Sequence, residues 1–221
     1  VQEALKIIKS NKLGKIINIK GSYGKSRLIT FNQTSWRTKR SIAGGGVLLD
    51  QGIHIVDLIR FFIGEIIEVK SFVSNDFWKF DVEDNVYAIL RTSKNIYAII
   101  HSSATQWRHH FNLEINLTKG SLVLEGILSG SKSYGDEKLT IVQSNPLKDN
   151  GNPRQKIIKF TNDPSWKKEI QNFADILIKK KNVVLSSSRD AVNCMKVIYD
   201  IYSGDKNWKK KYNIKKTTIN L

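Results

Sequence analysis

The 221 residues are 40% hydrophobic and 25% charged, enough apolar material for one large core or two small ones. No run approaches the roughly 18 consecutive apolar residues of a membrane helix and no basic flank precedes an apolar signal core, which points to a cytoplasmic protein with no membrane partner. The formal charge of +16 raises nucleic-acid binding as a competing reading, but no zinc-finger spacing, RNP-like strand or basic heptad helix accompanies it.

The chain opens at Val1 inside a helical pattern (Ala4, Leu5, Ile8) that Gly14 ends, so we expect a further domain before it. Lys15 to Tyr23 alternates as a strand, and a polar connection, 24–43, follows, long enough to suggest a functional loop. Gly44, Gly45 and Gly46 precede Val47 to Phe62, whose apolar positions recur at helical spacing until Gly64. From Glu65 to Phe160 the period changes to that of strands: Ile66 to Ser74, Val86 to Thr92, Ile96 to Ser103, Leu113 to Leu117, Leu122 to Leu124, Leu139 to Val142 and Ile157 to Phe160. Tight links at Ser93-Lys94-Asn95 and Lys119-Gly120 suit antiparallel hairpins. Two helices close the chain, Ser165 to Ile178 and Ser188 to Tyr202; Cys194 shares the spacing of Ala191, Val197 and Ile198 and reads as buried packing. The basic runs, Lys179 to Lys181, Lys209 to Lys211 and Lys215 with Lys216, fall at helix ends and in the tail, where the helix dipole and solvation favour them.

This order predicts an α+β fold: a large, mostly antiparallel open β-sheet with helices packed on one face. Tyr87, Ile89, Tyr97, Ile99, Leu113, Ile115 and Leu117 occupy alternating positions of the central strands. More apolar surface results than the helices can cover, which predicts an interface through the sheet, a homodimer or tetramer.

Chemistry concentrates on the helix after the glycines. Asp50, His54 and Asp57 sit at i, i+4 and i+7, which places them on one helical face. A carboxylate one turn before an imidazole can hold its orientation for general acid-base work on an alcohol; Asp57, further along, suits a structural role. Trp36 and Arg37 in the long connection, and Gln106, Trp107 and Arg108 after the strand ending at Ser103, combine stacking planes with hydrogen-bond forks suited to a sugar or its phosphate. Trp107 reads equally well as core filler. His101, His109 and His110 lack a companion Cys or acid that would complete a ligand set, so we expect no metal.

The run Gly44-Gly45-Gly46-Val47-Leu48-Leu49-Asp50-Gln51-Gly52-Ile53-His54-Ile55-Val56-Asp57 resembles the GGG-x-L-x-D-x-G-x-H-x-x-D signature of the glucose-fructose oxidoreductase, inositol dehydrogenase and rhizopine-catabolism (Gfo/Idh/MocA) family. Lys12-Leu13-Gly14-Lys15-Ile16, the Trp36-Arg37 pair, the strand-rich middle and the last helix extend the resemblance over residues 1–221 as its C-terminal, substrate-binding and oligomerisation domain. The resemblance implies an oxidoreductase acting on a sugar or nucleotide-sugar with NAD or NADP. His54 would be its acid-base and Asp50 would orient the site, together with a lysine of a preceding Rossmann domain. That domain's Gly-rich phosphate loop and Glu-Lys-Pro motif are missing from this sequence, so the chain by itself is expected to be inactive. A non-catalytic sugar-binding or assembly module of the same fold stays open, and a basic nucleic-acid-binding protein is the third reading.

Overall fold

The computed structural model describes residues 1–27, 35–128, 131–145, 147–179 and 187–214. Lys180, Lys181, Lys215 and Lys216 of the basic runs, residues 28–34 of the long connection and residues 129 and 130 lie outside them. Helix α1 (Gln2–Lys9) leads to strand β1 (Ile16–Gly24), a 3₁₀ turn at Ser35–Thr38, the short α2 (Arg40–Ala43) and a π-helical turn, Leu48–Gly52, continuous with α3 (Ile53–Ile63). Strands β2 (Ile66–Ser74), β3 (Asn85–Thr92), β4 (Tyr97–Ser103), β5 (His110–Leu117), β6 (Gly120–Glu125), β7 (Lys138–Gln143) and β8 (Gln155–Lys159) follow. Helices α4 (Ser165–Ile178), α5 (Ser188–Gly204) and α6 (Lys206–Lys211) end the described chain.

The expected α+β fold is present as one sheet in the order β2-β3-β4-β1-β5-β6-β7-β8. All pairings are antiparallel except β1 with β4. Tight turns give the β3-β4 and β5-β6 hairpins where the sequence places them. The insertion of β1 between β4 and β5 is a tertiary choice that no local signal announces. It sets Gly21 beside Ile100 and Leu113, and brings the end of β1, Tyr23 and Gly24, against Ser102 and Ser103 of β4 and Phe111 and His110 of β5.

Helices α3 and α5 cover one face. Ile55 and Ile59 of α3 and Ile198 and Ile201 of α5 are fully buried with Ile19, Ile100, Leu113, Ile115 and Leu122 from the sheet. Each such side chain contributes about 1.5–3 kcal/mol on leaving water. A capping box at Ser187 and Asp190 starts α5, satisfying amides that the first turn would otherwise leave orphaned.

The opposite face divides. Phe72 is 77% exposed, and Tyr87, Ile89, Tyr97 and Ile99 are about half exposed, so the uncovered apolar surface belongs to β2, β3 and β4. Leu113, Ile115 and Leu117 of β5 are instead buried beneath the helices, because their register turns them to the other side of the pleat. The lysines are not confined to the helical parts of the molecule, since exposed Lys20 aligns with Ile99 on one side and Glu114 on the other. Helix α4 keeps its expected bounds but buries none of its residues; Trp166, Ile170, Phe173 and Leu177 are all exposed. No helix among the described residues is long and apolar enough to cross a membrane.

One buried acid ties the glycine run to the last long helix. Glu83 is fully buried; its Oε1 accepts from Leu48 N–H at 3.0 Å and from the Tyr202 hydroxyl at 2.7 Å, and Val47 N–H donates to its carbonyl at 3.2 Å. Its Oε2 has no partner among the described residues. Burial pushes the Glu83 carboxyl above its ordinary 4.5, against the pull of these hydrogen bonds. A raised carboxyl favours the folded state while it is protonated, so that stability is lost as pH rises from 4.5 through the folded value. Denaturant midpoints of wild type and Glu83→Gln should therefore lie close together near pH 4.5 and separate at higher pH, with wild type the less stable; a constant difference across the range would sink this account.

Candidate active site

The glycine run is required by packing. A Cβ on Gly46 would lie 2.2 Å from the Glu83 carbonyl oxygen, and one on Gly45 would lie 2.2 Å from the Tyr202 hydroxyl. Both glycines let the backbone press onto β3's approach and onto α5, and so fix where the next turn begins. Residues Leu48–Gly52 then wind as π-helix before α3 takes over. Such bulges widen the turn and frequently occur at functional sites. The single α-helical face expected for Asp50, His54 and Asp57 is therefore interrupted between the first two.

Among the cavities lined by described residues, Asp50 and His54 border different ones. Asp50 shares a small one, about 140 Å³, with Trp36, Arg37, Gly45, Gly46 and Leu49. His54 opens into a larger one, about 480 Å³, whose walls include Tyr23, Phe111, Trp166 and Glu169. Tyr23 joins the two neighbourhoods: its ring centroid is 6.3 Å from that of His54, and the Asp50 charge acts on its phenol. Asp57, one further turn along α3, is exposed.

Sequence reasoning missed the groups that surround Asp50. Lys25, the residue after β1, is buried and places Nζ 2.5 Å from Asp50 Oδ2. Gln51 Nε2 donates to the Tyr134 hydroxyl at 2.9 Å, and the Tyr134 ring stands edge-on to Tyr23 at 5.4 Å. Burial first, and then Tyr134 and Asp50, hold the Tyr23 phenol well above its ordinary range; burial raises Tyr134 against the pull of its hydrogen bonds. Both stay protonated donors at neutral pH. Position next to β1 and proximity to glycine are weak signals, and only the sheet order brings these residues together.

The other expected residues separate into two sets. Trp36 and Arg37 stack, with the guanidinium carbon 4.5 Å from the ring centroid, and stand at Asp50. Gln106 is half-buried and donates its N–H to the Lys25 carbonyl at 3.0 Å. Trp107 is 70% exposed against Phe77, so it is not core filler, and Arg108 is exposed; neither lines the two cavities. The three histidines outside α3 meet rings and hydroxyls. His101 stacks on Tyr87, His109 bonds Ser26 and Ser133, and His110 bonds Ser22, and burial lowers all three below their ordinary value. Cys194 is buried, 3.7 Å from the Ile53 carbonyl, and burial raises its thiol to about 11. Among the described residues no group of three or more His, Cys, Asp or Glu is placed to hold a metal ion.

An open sheet is backed by helices on one face, with an acid and a histidine at the start of a glycine-led helix. Residues 1–123 match the GFO/IDH/MocA C-terminal domain, and the chain belongs to that family. Levoglucosan dehydrogenase from Pseudarthrobacter phenanthrenivorans is 27% identical over 150 residues, 54% of this chain and 37% of that protein. The chain thus spans little more than a third of that curated relative. Among solved structures, levoglucosan dehydrogenase in complex with NADH and levoglucosan superposes with a TM-score of 0.74 at 18% identity, covering 91% of this chain and 60% of that one. KijD10, a 3-ketoreductase from Actinomadura kijaniata in complex with NADP and TDP-benzene, gives 0.70 at 16% identity over 92% and 58%. At these identities the superpositions establish the fold.

The close approach at Gly46 supplies a direct check on how the site is held. Because the obstructing atoms are backbone, Gly46→Ala should cost about 1–3 kcal/mol, the usual scale of overpacking, read as a lower denaturant midpoint. A midpoint equal to wild type would show that the turn can move away freely.

Proposed function

We propose that this chain is the substrate-binding domain of an NAD(P)-dependent oxidoreductase that acts on a hydroxyl or carbonyl of a sugar or nucleotide-sugar, in the cytoplasm where nicotinamide cofactors are available. The observation that carries the reading is His54, exposed on α3 and opening into the aromatic-walled cavity of about 480 Å³. The family assignment and the dehydrogenase and ketoreductase relatives support it.

The residues present fit one part of a nicotinamide dinucleotide. Gly44, Gly45 and Gly46 cannot cradle its phosphates, since Glu83 and Tyr202 fill the space beside the last two, and the run lacks the G-x-G-x-x-G spacing of a phosphate loop. A separate domain would hold the phosphates, while the cavity with Tyr23, Phe111 and Trp166 has room for a ring. The nicotinamide, when bound, supplies the hydride chemistry. His54 takes the hydroxyl proton as a carbonyl forms and returns it in the reverse direction. Asp50 is engaged by Lys25, so its role is to orient and to hold charge. Trp36 with its stacked Arg37 offers a plane and a fork to a sugar ring or its phosphate.

Assembly through the sheet completes the proposal. Phe72, Tyr87, Ile89, Tyr97 and Ile99 form an exposed apolar surface on adjacent strands, and burying it against a twofold mate removes it from water at roughly 25 cal/mol per Å². A homodimer or tetramer results.

In the full-length protein, His54→Ala should lower turnover of its sugar by about 100-fold or more while cofactor affinity stays nearly unchanged, and Asp50→Asn should also slow it; near-normal rates for His54→Ala across pH would return His54 to a packing role. Sedimentation of this chain, in salt that screens its charge, should show at least a dimer that Ile89→Lys dissociates. A wild-type monomer at tens of micromolar or about that range would remove the sheet interface.

A further inference from the structure

We infer that Lys25 is a positioning residue for the reaction, acting through Asp50; the inference rests on the function proposed above. Its backbone is fixed from both sides of the strand end. Lys25 N–H donates to the Ser103 carbonyl at 2.9 Å, and its own carbonyl accepts from Gln106 N–H at 3.0 Å. The side chain is 8% exposed while that of Asp50 is 40% exposed, and the two meet at 2.5 Å.

That asymmetry makes Lys25 the anchored partner and Asp50 the one left free to be positioned. A buried ammonium on a flexible stem gives up both hydration and rotamer freedom, and needs an acceptor to hold it there. Asp50 has access to solvent and would remain hydrated without a lysine. No residue of its π-helical turn, however, hydrogen-bonds its carboxylate among the described residues. Lys25 supplies the missing restraint from the sheet. One oxygen, Oδ2, is engaged by the amine, and Asp50 lines the cavity shared with Trp36 and Arg37. The amine's positive charge also reaches His109, where it adds to burial in keeping that imidazole neutral. Asp50 thereby becomes a fixed, charge-compensated acceptor for a substrate hydroxyl, and proton transfer is left to His54.

The test uses the full-length protein. Lys25→Met should lower kcat by about 10- to 100-fold, the scale of a misplaced catalytic constellation, with KM for the cofactor unchanged and Lys25→Arg recovering part of the loss. Lys25→Met combined with Asp50→Asn should be no slower than Asp50→Asn alone, because the lysine acts through the acid. A crystal structure of the Lys25→Met protein should show the Asp50 carboxylate turned from its wild-type position. If Lys25→Met does not fold, Lys25→Gln is read by the same measures. An unchanged kcat, or losses that multiply in the double variant, overturns the inference. Absence of turnover in the wild type with every sugar tried would defeat the proposed function instead; the crystal structure then decides, and an Asp50 carboxylate that stays in place overturns the role of Lys25.

Discussion

The structure depends on the insertion of the first strand into the middle of the sheet. β1 pairs in parallel with β4 and antiparallel with β5, so residues far apart in the chain are forced to one end of three neighbouring strands. Tyr23, Lys25, Ser103, Gln106 and His110 meet there, and the turn carrying Asp50 lies across them. A parallel neighbour needs a long crossover, and the whole of α3, β2 and β3 lies between β1 and β4. The site therefore belongs to the topology and not to any contiguous stretch.

A second constraint sets the helix that crosses this end. Gly45 and Gly46 have no room for a side chain because Tyr202 and Glu83 occupy it. Glu83 also accepts from the start of the π-helical turn, and the last long helix donates to the same oxygen. Burying a carboxyl without a cation is costly unless it is hydrogen-bonded or neutral, and Glu83 meets the requirement through two donors and a raised proton affinity. The polar pair of α5 and β3's approach thus determines where Asp50 stands. A motif that looks like ligand-binding chemistry in sequence is in part a packing solution.

Among the described residues, two apolar surfaces remain outside the core, and they differ in origin. That on β2, β3 and β4 follows from strand alternation, with every second side chain turned from the helices. That on α4 follows from helical spacing, with Trp166, Ile170, Phe173 and Leu177 on one stripe. Trp166 also belongs to the wall of the His54 cavity, so the α4 stripe is continuous with the site, whereas the sheet surface lies on the other side of the strands from α3.

Most elements and the acid-histidine helix were readable from local pattern, but α2, α6 and the π-helical turn were not. Helical and strand periodicities arise from local geometry, and so the bounds of α4, the β3-β4 and β5-β6 turns and the helix leading from the glycines were legible. Pairing of Lys25 with Asp50, the Tyr23-Tyr134 contact and the π-helical turn between Asp50 and His54 were not. Nor was the burial of Leu113, Ile115 and Leu117 on the opposite side from Tyr87 and Ile99. Alternation gives the period of a strand and leaves open which face is turned inward and which strand lies alongside. Those choices are made by long-range pairing, and only the folded sheet brings an amine from the end of β1 to the carboxylate of a turn 25 residues later.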